Sequence, residues 1–145
     1  MTATISAPTD AQRNMEVLRC VIEEGFSKGN LAALDDVVAP QIVEHQPGLP
    51  PSREGLKGVI AELRRIFPDF TLTVEDMTTD GDKVWGRFTA RGTWLGDWMG
   101  RKATGQTMEI AVLDIIRVED DKLVEHWGVP DRFHQLEQLG LLPAH

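Results

Sequence analysis

Apolar residues recur with a helical period up to residue 66 and with a period of two beyond it. Met15, Leu18, Val21, Ile22 and Phe26 lie on one face of a helix predicted over residues 11–28. Asp10 is its expected N-cap and Gly29-Asn30 its stop. A shorter helix, Leu31 to Val38, ends before Pro40. The stretch "QIVEHQPGLPP" (41–51) reads as a brief strand entering a loop stiffened by three prolines. Residues 53–66 form a third helix with Leu56, Val59, Ile60, Leu63 and Ile66 inward. "FTLTVEDM" (70–77), "KVWGRFTARG" (83–92), "TMEIAVLDIIRV" (107–118) and "KLVEHWGV" (122–129) are then strands, separated by turn-forming residues. A last helix, 131–139, starts at Asp131 after Pro130 and stops at Gly140. Three helices, a mainly antiparallel sheet and one closing helix make an α+β fold, since strands and helices do not alternate. Residues 1–10 are expected to be a flexible leader and 11–142 a single domain.

One strand departs from simple alternation. In "MEIAVLDII" both faces are apolar, Ile110, Val112 and Ile116 on one and Ala111, Leu113 and Ile115 on the other. A sheet covered by helices on one face should show a polar second face. The outer face is therefore expected to meet another copy in a homodimer.

Composition narrows the partners. The 145 residues carry 15 basic and 23 acidic side chains, a formal net charge of −8. That argues against a nucleic-acid partner and against an anionic membrane surface. The chain has no apolar run of membrane-spanning length, and "MTATISAPTD" lacks the features of a signal peptide, so the expected location is cytoplasmic. One cysteine, Cys20, excludes an intrachain disulfide. Histidines at 45, 126, 134 and 145 have no metal-binding spacing, and neither a nucleotide fingerprint nor a nucleophile elbow occurs. No cofactor or metal is expected.

The candidate chemistry lies in "DIIRVEDDKLVEHWGVPD" (114–131). Asp114 shares a strand face with Val112 and Ile116. A three-residue turn centred on Asp120 would place Asp114 opposite His126, and a two-residue turn Asp120-Asp121 would place it opposite Trp127. The first register is favoured. An inward Asp–His pair suits proton transfer, although it can equally be a structural pair that pins strand register. His45, before the proline loop, is a third polar candidate. Asp131 has a plain reading as an N-cap. Trp94 and Trp98, in "GTWLGDWMG", could wall a pocket for a flat or apolar ligand, and Trp127 and Asp131 complete the candidate substrate-contacting set.

These features resemble a known family. His45, "FPDF" (67–70), "RGTWLGDWMG" (91–100), "ATG" (103–105), "RVEDDKLVEHW" (117–127), then "PD" and "QLEQLG" to Gly140 resemble SnoaL-like polyketide cyclases of the NTF2-like superfamily. The resemblance covers most of residues 14–142. It implies a cone-shaped α+β barrel with an apolar interior, and a cofactor-independent intramolecular aldol closure of a polyketide ester. One inward base would remove a proton α to a carbonyl while neighbouring donors stabilise the enolate. It also implies an exchange of polar positions. Gly128 falls where that branch carries its catalytic aspartate, Asp114 where it carries an inward histidine, and Trp94 where many relatives carry histidine. Asp114 is then the expected base, His126 its partner or the enolate donor, and His45 a polar group at the mouth. The expected partner is a carbonyl-bearing hydrophobic small molecule. A ligand-binding module, a relative with a relocated base doing other proton transfers, and a structural dimerisation domain are the alternatives.

Overall fold

The computed structural model describes residues 6–143. Helix α1 (Asp10–Cys20) starts one residue earlier than its apolar spacing suggests. Thr9, not Asp10, is the N-cap: its hydroxyl accepts from Gln12 N while the Gln12 side chain accepts from Thr9 N. Residues 1–5 of the expected leader lie outside the described residues, and Thr9 and Asp10 belong to the helix start. From Val21 to Ser27 the helix widens into a π-helical stretch. Wider winding of this kind recurs where a helix borders a binding site.

A 3-10 turn (Leu31–Ala33) leads into α2 (Leu34–Val37) and directly into strand β1 (Val38–Glu44). The strand is longer than expected and contains Pro40, which an edge position tolerates because no ladder hydrogen bond is required there. Helix α3 (Arg53–Ile66) has the predicted limits, with the Ser52 hydroxyl accepting from Gly55 N. Strands β2 (Thr71–Asp80), β3 (Lys83–Thr93), β4 (Thr107–Glu119) and β5 (Lys122–Pro130) complete the sheet. Its order is β1-β5-β4-β3-β2, antiparallel except for the parallel β1–β5 pair. The final helix, α4 (Arg132–Gln138), is capped by Asp131, whose side chain accepts from His134 N at 3.1 Å.

The helices pack on one face of this open, curved sheet. Leu18, Ile22, Leu34, Ile60, Phe67, Phe88 and Ile116 are fully buried between the two layers. The opposite face carries exposed Trp85, Leu113 and Val129. In the described residues no helix is long and apolar enough to cross a membrane.

The β4–β5 register corrects the sequence reading. Asp120 and Asp121 both have positive φ, 50° and 60°, and form a two-residue turn, with Glu119 opposite Lys122. An irregularity after Val118–Leu123 then inserts one extra residue on β5, so Arg117 faces Glu125. Asp114 consequently pairs with Gly128, and His126 with Ile116. The three-residue turn is wrong, yet the final offset differs from it by two residues. An even offset preserves strand face, so Asp114 and His126 still point to the same side.

Candidate active site at the base of the cone

The helices and the inner sheet face enclose a cavity of about 180 Å³. Its walls are mainly aliphatic, with Leu18, Ile22, Leu56 and Leu63 from the helices and Ile110 and Val112 from β4. Six polar side chains interrupt them: Glu44, Gln46, Asp114, His126, Arg132 and Gln135.

Three of these six form one hydrogen-bonded chain. His126 Nε2 lies 2.9 Å from Asp114 Oδ1, and His126 Nδ1 lies 2.7 Å from Glu44 Oε1. All three side chains are at most 12% exposed. The parallel β1–β5 pairing sets Glu44 beside His126, and the bulged β4–β5 pairing brings Asp114 within diagonal reach. Glu44 Oε1 also accepts from the Gln46 backbone N–H, at 2.9 Å. Burial by itself lowers the His126 pKa, but the hydrogen bonds and charges of Asp114 and Glu44 outweigh it and raise the value from 6.5 to about 9. At neutral pH the ring is therefore an imidazolium with both N–H groups donated to carboxylates. Asp114 Oδ2 has no hydrogen-bond partner among the described residues.

Glycines clear the space around Asp114. Its direct neighbours across the sheet are Gly86 on β3 and Gly128 on β5. A Cβ at Gly86 would lie 2.3 Å from the Phe88 ring. One at Gly128 would lie 2.1 Å from Gln46 Oε1, 2.6 Å from Asp114 Oδ1 and 2.8 Å from His126 Cε1. The space that a side chain at 128 would occupy is filled by the polar cluster itself.

The other candidates lie elsewhere. His45 and Trp127 are on the outer side, their rings stacked at 4.7 Å, with His45 Nε2 2.7 Å from Glu125 Oε2. Where the end of β1 pairs with β5, Glu44 and His126 turn in, and the next residues, His45 and Trp127, turn out. Trp94 is buried with Nε1 donating to Gly96 O at 2.7 Å, and Trp98 packs edge-on against Phe67. Neither indole lines the cavity, and Asp131 stays at the start of α4. Glu44, Gln46, Arg132 and Gln135 were not singled out from the sequence. The glycines of Trp85-Gly86 and Trp127-Gly128 were the available signal, because glycine inside a strand marks a close approach. In the described residues no group of three or more His, Cys, Asp or Glu is placed to hold a metal.

Comparison with known proteins identifies this architecture. The SnoaL-like polyketide cyclase family matches residues 16–139. The chain belongs to that family. IdmH of Streptomyces antibioticus, a proposed polyketide cyclase, is 37% identical, with 88% of this chain and 98% of IdmH covered at a TM-score of 0.78. A proposed polyketide cyclase from Acidithiobacillus ferrooxidans is 28% identical, with 95% and 98% covered at 0.80. AclR of Streptomyces galilaeus, a proposed hydroxylase, is 26% identical, with 90% and 97% covered at 0.78. No curated protein matches the chain. The cone is the NTF2-like fold of these SnoaL-like proteins.

A raised folded-state pKa ties stability to pH in a defined direction. The contribution of His126 is complete below its ordinary value of 6.5 and is lost as pH rises through about 9. Histidine-detected NMR should give a midpoint near 9 for His126 in the folded protein. Glu44→Gln should lower that midpoint and weaken the fall in stability across the same window. A wild-type midpoint near 6.5 would refute the assignment.

Proposed function

We propose that the protein is a cofactor-independent cyclase that closes a ring in a carbonyl-bearing hydrophobic substrate, with Asp114 as the general base. The observation that carries this reading is a carboxylate at the wall of an apolar cavity, held at 2.9 Å by a buried imidazolium and with its second oxygen unpartnered. Asp114 Oδ2 would take a proton from a carbon α to a carbonyl, that carbon would attack a second carbonyl in the same molecule, and the resulting alkoxide would take the proton back from Asp114 to leave the aldol hydroxyl. Gln46 is a suitable donor to the enolate oxygen, since its side-chain amide makes no hydrogen bond among the described residues. Both His126 nitrogens are already committed to carboxylates. His126 therefore positions Asp114 and balances its charge, and Glu44 holds His126. The mainly apolar wall of the cavity strengthens each of these interactions.

Family membership supports the cyclase class but does not choose the chemistry, because AclR, a proposed hydroxylase, is comparably similar. Gly128 at the position of the branch's usual base favours a second reading, in which the same cavity binds an apolar ligand without turning it over.

The two readings separate on Asp114→Asn. With an ester of a linear aromatic polyketide as substrate, ring closure followed by absorbance should fall about 10²–10⁴-fold. The variant's circular dichroism should stay that of a folded protein, with a lower melting temperature because the buried His126 loses one of its two carboxylates. Unchanged turnover in Asp114→Asn would remove the base from the mechanism.

The proposed assembly is a homodimer through the outer sheet face. Trp85, Ile115 and Trp127 form a cross-strand row there, with Leu113 and Val129 exposed beside them. An exposed apolar patch of this kind supports association. Leu113→Glu should shift sedimentation from dimer to monomer, whereas wild-type protein that sediments as a monomer at micromolar concentration would contradict the assembly.

A further inference from the structure

Arg132 lines the cavity at a distance from the acid–histidine chain, and it has no carboxylate partner among the described residues. Most of the other arginines here have one: Arg13, Arg19, Arg53, Arg65, Arg87, Arg91 and Arg117 all pair with Asp or Glu. Arg64 donates instead to backbone carbonyls, including those of Phe26, Ser27 and Phe70. Arg132 is exposed as a residue, and Arg101 also lacks an acid, but of these two only Arg132 lines the cavity. Partial desolvation beside the cavity pulls its pKa below the ordinary value.

One side-chain hydrogen bond among the described residues orients it. Arg132 Nη1 donates to Gln135 Oε1 at 2.8 Å, and Gln135, almost fully buried, donates from Nε2 to Met108 Sδ at 3.2 Å. Gln135 is thereby spent on orienting the guanidinium, whose other N–H groups keep their capacity to donate. The chain enters α4 beside β4, with Asp131 N donating to Ala111 O. Arg132 thus emerges about three strand residues from Asp114, roughly 10 Å along the sheet. Ile110 and Val112, both in the cavity wall, lie on the inner face of that stretch.

We propose that Arg132 is the recognition group for an anionic oxygen of the ligand, a carboxylate in the simplest case, carried at the opposite end from the carbon presented to Asp114. The guanidinium matches a carboxylate in shape and charge, so the two can pair through parallel N–H···O hydrogen bonds. The ligand class is then a rigid or extended apolar acid spanning the two polar poles, rather than a fully neutral molecule. The assignment rests on the cavity being the ligand site, as the proposed function requires, but not on Asp114 being a base.

Equilibrium binding tests it without turnover. Calorimetric titration with 2-naphthoate and with its neutral analogue 2-acetylnaphthalene compares the same ring system with and without the charge. Wild-type protein should prefer the acid by about ten-fold or more. Arg132→Gln should abolish that preference while retaining affinity for the ketone, and Arg132→Lys should restore part of it. Asp114→Asn should keep the preference for the acid, which separates failure of the base from failure of the anchor. Equal affinity of wild-type protein for the two ligands, binding of neither, or a preference that survives in Arg132→Gln overturns the proposal.

Discussion

A charged group in an apolar cavity must be paired, and this molecule is organised around one such pairing. The His126 imidazolium sits between the carboxylates of Asp114 and Glu44, at 2.9 and 2.7 Å. Burying such groups without partners carries a large desolvation penalty. The ring joins β4 to the edge strand β1 through β5, so the same contacts that solvate the charges tie the edge strand to the middle of the sheet. Removing one partner would leave a buried charge uncompensated, which is far costlier than losing an exposed ion pair.

Sheet geometry turns this pairing into a site. Asp114 lies in a cross-strand row with Gly86 and Gly128, while the row behind it is Trp85, Ile115 and Trp127. Each Trp-Gly dipeptide therefore sends its large group outward and leaves room within. Phe88 folds over Gly86, and the Gln46 amide occupies the space at Gly128. One alternation supplies both an uncrowded carboxylate on the inner face and an apolar surface on the outer one. A methyl group at position 128 would reach both sides of the Asp114–His126 contact, so the glycine belongs to the site as much as the acids do.

Much of this was legible in the sequence. The change of hydrophobic period at residue 70 located the helices and strands, and the two-sided apolar pattern around Leu113 marked the exposed outer face. Asp114 and His126 stood out as ionisable groups in otherwise apolar strands, and they do meet. The register that joins them was not legible, because a bulge in β5 adds a residue that leaves no mark on the apolar pattern. Parity made the error harmless, since an offset of two keeps a side chain on its face. Glu44 was missed because its strand pairs in parallel with one some eighty residues later, a contact that local patterning cannot show. His45 and Trp127 drew attention as chemically rich side chains, yet strand alternation turns both outward. Arg132 read as part of a helix start and acquires its meaning only from the cavity beside it.

The central claim is that Asp114 removes protons from carbon inside the cavity, and isotope exchange tests it without knowledge of the natural substrate. 2-Acetylnaphthalene incubated with the protein in deuterated buffer at neutral pH would be followed by mass spectrometry for deuterium entering its methyl group. Uptake well above the buffer rate with wild-type protein, and at the buffer rate with Asp114→Asn, is the predicted result. Uptake no faster than buffer with wild-type protein, or equally fast with both proteins, would contradict the account.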